Sequence, residues 1–316
     1  MGYEGLAPSA SLLLLGLLLD AVFGDPQIRL HPIRLMGDSL RMFERSIRKD
    51  GLDGYIGGVV LFLPLAASWV ILPSLAISLL SVRTGQVVHV FAVFVLFAMR
   101  DLIDHVRSVR HAAGVGDLKA TRNAIAWLVG RDTSKLDIAA CRRAAIESLS
   151  ESFVDGFLSP LFWYVIAGLP GLLLFKVAST MDSMVGYKTE QYRRFGWFGA
   201  RLDDLMNFLP ARMAWLLLGA CALPFRELSA TKGWRIGWQQ HRVVPGPNPG
   251  WSEATMAGVL QRRLIGPIWR DGGLVTELWL GDPKDAPAGS DADVGNALKV
   301  SLVATLVATL IAVGLL

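Results

Sequence analysis

Between residues 147 and 212, acidic, basic and amide side chains stand directly against segments apolar enough for a membrane. Glu147, Glu151 and Asp155 recur at i, i+4 and i+8 in ESLSESFVDGF, so a helix there lines three carboxylates along one stripe. Like charges on one face repel, and a helix keeps them where something positive lies opposite. That partner is Mg²⁺, a substrate cation, or arginine and lysine of the protein itself. Asp203, Asp204 and Asn207 form a second acidic group beside the apolar run that opens at Leu205. Between the two groups lie Asp182, Tyr187, Lys188, Glu190, Arg193, Arg194 and Arg201. The chemistry this mixture suits is a polar site at a membrane surface, with acids gripping a cation and bases gripping an anion.

The composition demands a membrane around such a site. Of 316 residues, 53% are hydrophobic and 18% charged, where a soluble domain carries about 25% charged residues. A net charge of +4 fits cytoplasmic loops obeying the positive-inside rule better than a nucleic-acid surface, so no nucleic-acid partner is expected. Cys141 and Cys221 stand far apart without metal-ligand spacing and read as small buried hydrophobes.

The elements that must position these residues follow from hydropathy. The fold class expected is all-α, a polytopic integral membrane protein with about 5–6 hydrophobic helices and cytoplasmic helical loops, forming a single membrane-embedded domain over residues 1–316. Apolar segments run over about 9–23, 55–80, 86–99, 157–177, 205–223 and 298–316; polar segments occupy about 24–54, 100–152, 182–204 and 226–296. Pro64 and Pro73 kink the second apolar segment, and Gly168-Leu169-Pro170-Gly171 breaks the fourth, as one bent span or as a re-entrant pair. Asp132 or Thr133 caps the helix carrying Glu147, with Arg131 and Lys135 placed to hold an anion there. Residues 284–295 read as a flexible linker, His31 as a packed turn residue, and Trp251 as a ring free to stack on a flat ligand. No Walker A loop is present.

Several distinct short blocks stand in order along nearly the whole chain. They include Gly24-Asp25-Pro26, His31-Pro32-Ile33-Arg34, Gly130-Arg131-Asp132-Thr133-Ser134, Glu147 to Gly156, and Met181 to Lys188. Further on stand Ala200 to Asp204, Asn207 to Arg212, Trp251-Ser252-Glu253-Ala254 and Leu280-Gly281-Asp282. Together they resemble the CobD/CbiB family of cobalamin-biosynthesis membrane proteins, the adenosylcobinamide-phosphate synthases. The chain departs from the family pattern at Ser152 and Ser179, where asparagine is common. It departs again at Pro249, and at Ile265-Gly266-Pro267-Ile268, which replaces Gly-Gly-Pro-Asn.

The resemblance implies ATP-dependent amide formation between adenosylcobyric acid and an amino-alcohol phosphate, either (R)-1-amino-2-propanol O-phosphate or ethanolamine phosphate. It implies Mg²⁺ and ATP as cofactors and a multi-pass place in the cell inner (plasma) membrane, with the active site facing the cytoplasm. Expected partners are the corrinoid, the amino-alcohol phosphate, the lipid bilayer and other membrane enzymes of the pathway, in a lone chain or an oligomer. On this basis Glu147, Glu151, Asp155 and Lys188 take catalytic roles. Arg34, Arg131, Asp182, Tyr187, Arg201, Asn207, Arg212 and Asn248 contact substrate or phosphate, and Glu147, Glu151, Asp155, Asp203 and Asp204 hold the metal. Two other functions fit the residues alone: a different membrane-embedded Mg²⁺-dependent phospho-alcohol or prenyl transferase, and a non-enzymatic permease or assembly scaffold.

Overall fold

The structure, a computed structural model, describes residues 5–26, 28–270 and 273–316. In chain order the elements are α1 (Ala10–Phe23), α2 (Pro32–Lys49), α3 (Tyr55–Ala66), a π-helical turn (Ala67–Ile71), α4 (Leu72–Ser78), α5 (Val82–Leu96), α6 (Met99–Gly114), α7 (Leu118–Ile125) and α8 (Ile138–Phe153). A second π-helical turn (Val154–Leu158) leads into α9 (Ser159–Val185), followed by α10 (Trp197–Met206), α11 (Phe208–Ala222), α12 (Ala230–Gln240), α13 (Pro249–Leu260), β1 (Leu264–Arg270), β2 (Gly273–Leu280) and α14 (Asp291–Leu315). The protein is thus an α-helical polytopic membrane protein with one small addition, the antiparallel β1–β2 pair.

Among the described residues, four stretches are long and apolar enough to cross a bilayer: Tyr55–Ser78, Val82–Gly114, Ile138–Val185 and Asp291–Leu315. Counting α10 with α11 as one span makes five, and α1 is a shorter apolar helix of 14 residues. Their outward faces suit lipid. On α14, Leu302, Leu306 and Leu310 are exposed at i, i+4 and i+8, while Ala304, Ala308 and Ala312 form the buried, small-residue stripe.

The chain divides into two compact units. The first comprises Met1–Ala98, Ser159–Asn207 and Thr309–Leu316. There α2 begins at the N-cap His31, whose Nδ1 accepts from Ile33 N, and buries Met36, Leu40, Glu44 and Ile47 along one side. Met36, Leu40 and Ile47 join Leu61, Leu65, Val177, Met181, Val185 and Phe195 in one core. His31 also places Nε2 2.9 Å from Asp25 Oδ1, which ties the turn before α2 to its first residue. The π turn after α3 lies between Pro64 and Pro73, the two prolines expected to disturb this span. The break in α9 falls at Ala167 and Gly168, at the leading edge of the expected Gly168–Gly171 break, and Gly168 adopts φ +63°. A β-carbon there would lie 2.2 Å from Leu6 O, so glycine is required.

The second unit comprises Met99–Leu158 and Phe208–Ala308. Its centre is α13, in which every residue from Gly250 to Leu260 is buried. Helix α12 packs closely on it because a β-carbon at Gly258 would lie 2.5 Å from Lys232 O. Residues expected as a flexible linker instead form turns and the start of α14, where Asp293 Oδ2 accepts from Gly289 N and Ser290 N.

Candidate functional site

Helix α8 starts at Asp137, whose Oδ1 accepts from Ala140 N at 2.7 Å. The expected caps, Asp132 and Thr133, lie upstream of that start. Asp132 Oδ1 accepts from Ser134 N, and hydrogen bonds from Ser134 hold its carboxyl below the usual aspartate range. This corrects the capping expectation: an Asx turn at 132–134 leaves the cap to the next acidic residue on the chain. Helix α8 buries Cys141, Ala144, Ala145, Leu149 and Phe153, which turns Glu147 and Glu151 to its other side.

Arg131, expected to hold an anion beside the cap, donates from Nη2 to Glu147 Oε2 at 2.6 Å. Glu147 is largely enclosed, whereas Glu151 is exposed. Asp155 belongs to the π turn, so the α-helical stripe of carboxylates extends only to Glu151. Beside Asp155, a β-carbon on Gly156 would meet nothing within 4 Å. A surface groove of about 450 Å³ is lined by Lys119, Arg122, Asn123, Asp132, Thr133 and Ser134.

Glu253, in the middle of α13, is a buried acid that spacing did not single out. Its side chain is 3% exposed, and among the described residues its Oε2 has no hydrogen-bond partner. Burial, then the like charges of Glu151 and Glu147, push its carboxyl well above the usual glutamate range; Arg131 pulls the other way and Asp155 adds to the rise. Four acids from α8, the π turn and α13 therefore share one electrostatic neighbourhood with Arg131. Among the described residues, however, no three His, Cys, Asp or Glu side chains converge to hold one metal ion.

Arg212 and Asn248 come together as a pair. Arg212 Nη1 donates to Asn248 Oδ1 at 2.9 Å and Nη2 to Pro247 O at 3.3 Å, so this arginine clamps the loop entering α13. Its guanidinium lies over Phe208, 3.6 Å from the ring centroid. Trp251 is not a free platform: His241 stacks on it at 3.9 Å, and Trp215 and Trp238 close around it. The exposed ring of that group is Trp238, at 62%.

The remaining predicted residues belong to the first unit. Arg201 Nη1 donates to Asp204 Oδ2 at 2.9 Å, and Lys188 is a second positive neighbour of Asp204. Asp182 is a like-charged neighbour of Asp204. Asp203 Oδ2 accepts from Asn207 Nδ2 at 2.9 Å, and Asn207 Oδ1 accepts from the buried Ser159 hydroxyl. Tyr187 and Arg34 are exposed. Asp182, Lys188, Arg201, Asp203, Asp204 and Asn207 thus gather around α10, while Arg34 stands on α2.

Comparison with known proteins bears on the family of the chain. The family described as CobD/Cbib protein matches residues 13–301, which takes in both groups of polar residues. The chain belongs to the CobD/CbiB family. It is 40% identical over 298 residues to a cobalamin biosynthesis protein CobD of Sinorhizobium sp, covering 91% of this chain and 92% of that relative. A CobD of Photorhabdus laumondii is 39% identical over 282 residues, covering 87% and 88%. A cobalamin biosynthesis protein CbiB of Salmonella typhimurium is 38% identical over 272 residues, covering 84% of each. No solved structure matches the chain. For CobD/CbiB, then, the geometry described here is a view of the acidic blocks in a folded chain.

Proposed function

We propose that this chain acts in cobalamin biosynthesis as a membrane-embedded acid–amine ligase. It joins the carboxylate of adenosylcobyric acid to the amine of (R)-1-amino-2-propanol O-phosphate, or of ethanolamine phosphate, to give adenosylcobinamide phosphate. The observation that supports this role is the group of Glu147, Glu151, Asp155 and Glu253 sharing one electrostatic neighbourhood with Arg131, a set suited to handling charge. The names of the relatives support the pathway.

A carboxylate is a poor acyl donor, and bound ATP with Mg²⁺ would supply its activation and neutralise phosphate charge. The donor set suits Mg²⁺ in chemistry, since all its members are carboxylate oxygens. With no three converging, the ion would be held by one or two of Glu147, Glu151 and Asp155, with phosphate and water completing its shell. Arg131 fixes the Glu147 carboxylate, and exposed Glu151 receives and orients the incoming amine. In the first unit, Lys188 and Arg201 are proposed to contact phosphate or carboxylate, with Asp182, Asp203 and Asp204 as further acidic contacts. The site is proposed to face the cytoplasm, where ATP is available.

Detergent-purified protein should consume ATP only when corrinoid acid and amino-alcohol phosphate are both present. Glu151→Gln should abolish amide formation with an unchanged melting temperature. Near-normal turnover by that variant would remove the assignment.

A further inference from the structure

Helix α7 turns Lys119, Arg122 and Asn123 toward a surface groove of about 450 Å³, whose other wall is Asp132-Thr133-Ser134. Both walls are tied down. Arg122 Nε donates to Leu136 O at 2.7 Å, joining α7 to the end of that loop, and Asp132 N donates to Trp269 O at 3.1 Å, joining its start to β1. Thr121 and Ile125 are buried from the other side of α7, so Lys119 and Asn123, one turn apart, share the groove side. Among the described residues, neither of these two side chains has a hydrogen bond or ion pair within the protein, and the Arg122 Nη groups have no partner. The acid of the groove, Asp132, is met by the amide of Ser134 inside its own turn, so two cations face one carboxylate that is already engaged.

Lys119 also stands where its charge is locally unfavourable. It is the second residue of α7, where the helix dipole is positive and an acidic side chain is preferred by about 0.3–1 kcal/mol. Beside it lie a guanidinium, the Asn123 amide and the Thr133 hydroxyl, a set rich in donors. A ligand with several charged oxygens on one atom matches that set, and phosphate is such a ligand. We infer that this groove is a phosphate-binding site, in which Lys119 and the Arg122 Nη groups neutralise a phosphoryl group while Asn123 and Thr133 donate hydrogen bonds to it. The choice of ligand rests on the amide-forming role proposed above, because ATP and the amino-alcohol phosphate both carry that group. The loop that walls the groove begins one residue after Arg131, whose Nη2 donates to Glu147, so a single short segment serves both the groove and the acidic group.

The test is calorimetry on full-length protein in detergent, with ATP and ethanolamine phosphate as probes and adenosine and ethanolamine as their unphosphorylated counterparts. Lys119→Glu should weaken at least one phosphorylated probe about tenfold or more, the scale of a charge-assisted hydrogen bond. The probe affected identifies the source of the phosphate, and the unphosphorylated counterparts should be unchanged. Because an acid suits the first turn of α7, the same variant should melt no lower than wild type, which separates a lost site from a lost fold. Should it nevertheless unfold, Lys119→Gln, which removes the charge without reversing it, should weaken the same probe, and Lys119→Arg should keep the wild-type affinity. A folded Lys119→Glu or Lys119→Gln chain that binds both phosphorylated probes as tightly as wild type overturns the inference. So does a wild type that binds neither while still forming amide, and in both cases the amide-forming role stands. Loss of phosphate binding on Lys119→Glu in a protein whose wild type forms no amide removes that role and leaves the groove.

Discussion

Arg131 and Glu147 meet at 2.6 Å with side chains only 7% and 15% exposed, 16 positions apart in the chain. This contact joins the Gly130–Ser134 block to the acidic block on α8. Its removal leaves Glu147 uncompensated among Glu151, Asp155 and Glu253. Arg131→Met should therefore destabilise the protein by about 3–5 kcal/mol. Adding Glu147→Gln should restore much of that loss, read as melting temperatures in detergent. An additive double variant would mean that the two side chains are not coupled.

Glu253 gives a pH prediction whose sign follows from its raised carboxyl value. The folded chain keeps a proton there that the unfolded chain releases in the ordinary glutamate range. Stability from this group is therefore complete below that range and falls as pH rises through the raised value. Glu147 and Glu151 on α8 and Asp155 on the π turn face it and reinforce the effect, while Arg131 opposes it. Glu253→Gln should melt higher than wild type at pH 8, with the gap closing toward pH 5. A gap that widens toward acid would mean an ionised, paired carboxylate.

Ile265 has φ +71°, a conformation unfavourable to a β-branched residue. Its carbonyl accepts from Arg143 Nε at 2.9 Å, and its side chain is buried. Backbone strain of this kind costs about 1–3 kcal/mol. Ile265→Gly should therefore lower the melting temperature less than Leu264→Gly, its equally buried neighbour, because glycine returns the strain. Equal losses would show that the strand tolerates this conformation freely.

In the first unit, Tyr164 OH lies 2.9 Å from His89 Nε2, accepts from Ser9 N at 3.1 Å and donates to Ser9 O at 3.2 Å. Tyr164→Phe leaves a buried imidazole nitrogen without its partner, at a cost of about 1–3 kcal/mol. Tyr187→Phe, at a ring 55% exposed, should leave the melting temperature unchanged and serves as the control. Equal effects of the two changes would mean the buried hydroxyl carries no stability.

The spans were legible because long apolar runs have few other uses, and the disturbances around Pro64, Pro73 and Gly168 were legible because these residues restrict or free the backbone. Hydropathy misplaced the start of α14 by seven residues, since its first turn is polar and capped by Asp293. The β1–β2 pair escaped notice because Gly266 and Pro267 interrupt the first strand. The acidic stripe was half readable: Glu147 and Glu151 sit on one helix, but no sequence period announces the π turn that carries Asp155. Glu253 lay in a quoted block yet had no acidic neighbour at helical spacing. Its signal was a lone acid within an otherwise apolar helix, and only folding places it beside α8.

The bend in α9 has a bearing on biogenesis. Leu169 N donates to Leu6 O, so a carbonyl ahead of α1 sits against a backbone gap in a segment synthesised much later. The stretch ahead of α1 has to wait for that partner to emerge before the bond can form. Bulky fusions placed ahead of α1 would therefore disturb a helix more than half the chain away.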